Sequence, residues 1–95
     1  MADIFIVENG IVKPTIEILL VSPFKEIWDR DSSESKEYAM KEFSYIYFIT
    51  TPKKTNPFYG YTEQDRHPEV VKYLFENYYS PDSIVQQAME VRRKF

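Results

Sequence analysis

"DSSESKEYAMKEFSYIYFITTP", residues 31–52, decides the fold. Ala39, Met40, Phe43, Ile46, Tyr47 and Thr50 recur at helical spacing, which places them on one face of an α-helix. Asp31 with Glu34 offers a capping box for its start, and Ser32 or Ser33 would serve instead. Pro52 ends it, because proline has no amide hydrogen to continue the ladder. The composition of "YIYFITT" favours strand, so an extended conformation for the last turns stays open.

Upstream, "DIFIVENGIVKPT" sets two β-branched runs, Ile4 to Val7 and Ile11 to Val12, around Asn9-Gly10, a strong hairpin signal. Pro14 stops the second run early, so the hairpin is small and needs something to lie on. It reads as an arm or a lid, and residues 3–12 could add to a neighbour's sheet edge. Between hairpin and long helix, Ile18, Leu19 and Leu20 read as a short helical turn, with Ile16 to Val21 as a strand the alternative. Ser22 as N-cap and Pro23 at the first helical position open a short helix through Phe24, Ile27 and Trp28.

Downstream, Thr62 with Asp65 repeats the capping signature. Pro68 then implies either a short turn followed by a new helix, or one kinked helix. Val70, Val71, Leu74, Phe75 and Tyr78 make one apolar stripe. Ser80-Pro81 marks another start, Ile84, Val85, Ala88 and Met89 stripe the last helix, and Arg92, Arg93 and Lys94 complement the negative end of its dipole. The expected fold is mainly α: four to five short helices preceded by an N-terminal β-hairpin. It is one domain over 1–95, divided into a hairpin arm (1–14) and a helical body (15–95) with a proline and aromatic loop at 51–62.

The 95 residues suffice for one modest core. With no cysteine, neither a disulfide nor a thiolate-ligated metal can add stability, so oligomerisation or docking is the expected support. Aromatic residues make up 17% of the chain, with eight Tyr, seven Phe and one Trp. Tyrosine in such numbers suits either a core of large side chains or a surface covered by a partner. Fifteen acidic against 12 basic residues give a net charge of −3, which argues against a dedicated nucleic-acid binder. Asp3 and Glu8 break any N-terminal signal peptide, and no apolar run approaches the ~20 residues of a membrane span.

Catalysis is not expected. His67 is the only histidine and precedes Pro68 in a polar turn, where a helix-entry role is the simpler reading. Asp29, Asp31 and Glu34 beside Trp28 and Arg30 would need a dry pocket to work as acid and base, and Asp31 is more simply a cap. Gly10 and Gly60 alone cannot build a phosphate loop. No cofactor, metal or small-molecule substrate is therefore expected.

The loop "TTPKKTNPFYGYTEQDRHPE", residues 50–69, carries the candidate surface. Lys53 and Lys54 with Phe58, Tyr59 and Tyr61 form a minimal single-strand grip, but two lysines release few counterions. Protein contact is the better reading: Pro52, Pro57 and Gly60 restrict or bend the loop, and Tyr, Phe and Arg dominate interface energetics.

"PFKEIWDRD", "KEYAMKEFSYIYFIT" and "NPFYGYTEQDR" together resemble a pattern found in small structural proteins of tailed bacteriophages, including the crAss-like group. The resemblance spans residues 22–66, about half the chain. It implies a non-enzymatic virion component of capsid, neck or tail, made in the host cytoplasm and contacting other virion proteins and copies of itself. It also implies Trp28, Arg30, Tyr45, Tyr47, Phe58, Tyr59 and Arg66 as inter-subunit or packing positions, to which the loop reading adds Tyr61. The alternatives are a small regulatory protein bound to a host enzyme, or a nucleic-acid accessory protein.

Overall fold

The computed structural model describes residues 5–8, 11–51, 56–58, 60–75 and 78–94. In chain order they form β1 (Phe5–Glu8), β2 (Ile11–Pro14), a 3₁₀ turn (Ile18–Leu20), α1 (Phe24–Asp29), α2 (Glu37–Thr50), α3 (Glu63–Leu74) and α4 (Ser83–Arg93). This is the expected architecture, a short hairpin in front of four helices.

Helix α2 is the centre. Every residue from Glu42 to Thr50 is buried, so this stretch has no solvent face. A helix covered all round occurs only where other elements surround it, and here α1, α3, α4 and β2 all pack on it. That enclosure explains why "YIYFIT" is helical despite its strand-favouring composition: tertiary packing outweighs a propensity difference of well under 1 kcal/mol per residue. Ser44 and Thr50 turn their hydroxyls back onto the carbonyls of Met40 (2.9 Å) and Ile46 (2.6 Å), which satisfies two buried polar groups locally. Thr51 is extended, as a residue preceding proline must be.

The hairpin does not stand off as an arm. Its antiparallel register pairs Phe5 with Pro14, Ile6 with Lys13, Val7 with Val12 and Glu8 with Ile11; the Asn9-Gly10 turn lies outside the described residues. Phe5 and Val12 point into the body and are buried. The Phe5 ring lies 5.9 Å from Phe43, 6.2 Å from Phe24 and 6.2 Å from Tyr47, while Trp28 stacks on Phe43 at 6.4 Å. Hairpin and helices thus share one hydrophobic cluster.

Several boundaries differ from expectation. The 18–20 segment keeps the expected short helical turn, as 3₁₀, and not the strand alternative, but other element ends shift. Helix α1 begins at Phe24 with Pro23 at the N-cap, while the Ser22 hydroxyl donates to Glu26 instead of capping (2.7 Å). Helix α2 begins at Glu37, later than a local Asp31–Glu34 box would place it. One helix, α3, runs through Pro68; Gln64, whose carbonyl thereby loses its intrahelical donor, is exposed. It ends at Leu74, so Tyr78 falls off the stripe and is 85% exposed, whereas Tyr79 is buried. Helix α4 starts at Ser83 with Asp82 as its cap, two residues beyond Ser80.

Because Phe5 belongs to the core, Phe5→Ala is expected to lower stability by about 3 kcal/mol in urea unfolding. A detached arm would leave the unfolding midpoint unchanged.

Candidate functional site

Two polar clasps and one aromatic corner hold most of the residues singled out above. The first clasp closes the C-terminal end of α2. The last carbonyls of any helix lack intrahelical donors, and those of α2 are buried. From α3, the Arg66 Nη1 donates to the carbonyls of Ile49 (2.9 Å) and Thr51 (3.1 Å) and lies 3.4 Å from that of Phe48, while its Nε donates to Tyr61 O (3.0 Å). Asn56 donates to Phe48 O (2.8 Å) and Thr51 O (2.9 Å) and accepts from the Phe58 amide (3.0 Å). From α4, Arg92 donates to the Thr51 hydroxyl (3.3 Å), with its guanidinium 5.8 Å from the Phe5 ring and 5.9 Å from that of Tyr47. Two buried guanidinium groups therefore face the negative end of the α2 dipole. Arg92, expected to complement its own helix end, reaches a different helix.

The second clasp lies along the side of α2. The Glu42 carboxylate is buried and accepts from both sides: Arg30 Nη2 at 3.0 and 2.8 Å, and the Tyr79 hydroxyl at 2.9 Å. Arg30 Nη1 also donates to Asp82 (2.6 Å), whose other carboxylate oxygen accepts from the Val85 amide (3.0 Å) as the cap of α4. Arg30 thus ties the end of α1 to α2 and to the start of α4. Burial, reinforced by the neighbouring Glu42 carboxylate, pushes the Tyr79 hydroxyl far above its ordinary pKa. The Val85 amide, aided by Arg30 and opposed by partial burial, holds the Asp82 carboxyl below the usual range.

Between α1 and α2 the capping is reciprocal. Asp31 accepts from the Ala39 amide (2.9 Å) and from the Ser33 amide and hydroxyl (3.0 and 2.8 Å), so it caps α2 from eight residues away. These bonds, the Ala39 amide first, hold its carboxyl down at about 2. Lys36 returns the contact, donating to the carbonyls of Trp28 (2.9 Å) and Asp31 (2.6 Å) at the end of α1, with its ammonium 5.4 Å from the Trp28 ring centroid. Its backbone is left-handed, φ 54° and ψ 32°, a conformation that disfavours a side chain and that these two bonds hold in place.

Tyr45 is buried and meets His67 Nδ1 at 2.8 Å across α2 and α3; burial pushes its hydroxyl up to about 12. The aromatic corner follows: the Phe48, Phe58 and Tyr73 rings meet edge to face at 5.4, 5.7 and 6.0 Å. Tyr73 is 62% and Tyr61 46% exposed.

Of the expected interface positions, the structure brings Trp28, Arg30, Tyr45, Tyr47 and Arg66 against the chain's own core or clasps. Phe58 is half-buried at the corner, Tyr61 faces solvent beside it, and Tyr59, Lys53 and Lys54 lie outside the described residues. Asp29 pairs with Lys25 at 3.1 Å, away from Asp31. Sequence reading missed Glu42, Asn56, Tyr73 and Tyr79. For Glu42 a signal existed: it lies three residues from Ala39 and four from Ile46, on the apolar face, where an acid needs a partner. Among the described residues no cluster of His, Asp and Glu is placed to hold a metal ion, and no helix is long and apolar enough to cross a membrane. Compared with protein-family models, curated proteins and solved structures, the chain matches none.

Arg66→Ala is expected to lower stability by roughly 1–3 kcal/mol, since it takes the donor from the buried Ile49 carbonyl and leaves those of Phe48 and Thr51 to Asn56, and Arg66→Lys to recover only part of this, because one ammonium cannot span the same carbonyls. Thermal unfolding of both variants measures it. Asp31 supplies a pH signature. Its folded pKa of about 2 lies below the ordinary 3.8, so its contribution is present above about pH 4 and lost as pH falls toward 2. Asp31→Asn should remove that component from a urea-stability profile across this window.

Proposed function

We propose that the chain is a non-enzymatic structural or adaptor subunit that works by docking onto other proteins, in the setting of a tailed-phage virion. The observation that carries the docking reading is the aromatic corner. Tyr73 stands mostly in solvent yet is held against Phe48 and Phe58, so little side-chain freedom is lost when a partner covers it. Tyr61 adds a second amphipathic ring nearby, and tyrosine is among the residue types that dominate interface energies. The ionic groups best placed for chemistry, Arg30, Glu42, Asp31 and Asp82, are engaged in holding helices together. The virion setting rests on the resemblance over residues 22–66, and with it the expectation of synthesis in the host cytoplasm followed by assembly into capsid, neck or tail.

Particles purified on a density gradient from cells producing the chain should carry it in fixed ratio to the major capsid subunit. Tyr73→Ser should lower that ratio several-fold while the purified variant, although somewhat less stable for the loss of its ring contacts, keeps the wild-type circular dichroism at the assembly temperature. Recovery of the wild-type chain only in the soluble fraction would overturn the reading.

A further inference from the structure

We draw no further inference here: the strongest candidate, the exposed aliphatic patch of Ile16, Leu20 and Val21 on the turn between β2 and α1, carries none, because nothing in the structure shows what covers it.

Discussion

The structure depends on how the C-terminal end of α2 is closed. A helix whose last turns are enclosed on every side buries carbonyl groups that neither water nor the helix itself can satisfy, and an unmet buried acceptor costs about 1–3 kcal/mol. Arg66 and Asn56 meet that demand, and the placement of other elements follows. Arg66 can reach Ile49 and Thr51 only if α3 lies across the end of α2. Asn56 can do so only if it lies against the same end of α2, where its side chain also holds the Phe58 amide. Arg92 reaches Thr51 from α4 and brings its guanidinium over Phe5, so the hairpin is registered against the same point.

The Glu42 clasp is a second constraint of the same kind, set on the side of the helix. A buried carboxylate is held only when its partners are complete, and removing one is more damaging than replacing all by apolar groups. Two donors from different elements, Arg30 and Tyr79, converge on Glu42. Sliding α2 by one residue would turn Glu42 about 100° around the helix axis and away from both. An apolar face alone tolerates such a shift better than a carboxylate with two fixed donors, so the clasp specifies register more than it adds stability. Asp82 extends the constraint to α4 by serving Arg30 and the Val85 amide together.

What was legible in the sequence is what periodicity and local chemistry encode. The stripe of α2, the hairpin around Asn9-Gly10, the Thr62 cap of α3 and the apolar face of α4 are all short-range patterns. What was not legible is long-range polar pairing. Asp31 reads as the cap of whatever follows it directly, yet it serves the Ala39 amide after the chain loops through Lys36. Ser80-Pro81 looks like a helix start, but Asp82, which also answers to Arg30 fifty-two residues away, wins the position. Arg66 and Arg30 carry the side-chain chemistry of interface residues, and nothing local distinguishes a guanidinium that meets a partner from one that closes a helix.

The tyrosines make the same point from the apolar side. Tyr45, Tyr47 and Tyr79 are buried, whereas Tyr38, Tyr61, Tyr73 and Tyr78 face solvent, although all belong to or border helical segments. Their hydroxyls explain the tolerance: Tyr45 meets His67 and Tyr79 meets Glu42, so burial leaves no polar atom unmet, and the exposed ones reach water directly. A residue equally at home inside and outside carries no one-dimensional signal of its side. Ile16 and Leu20 differ, because an aliphatic side chain gains nothing from solvent and loses on the order of 25 cal/mol for each Å² left there. Both are nevertheless exposed, on a turn whose opposite side buries Ile18 against α1, so which of these neighbouring aliphatic side chains goes inside is set by packing and not by a pattern in the sequence.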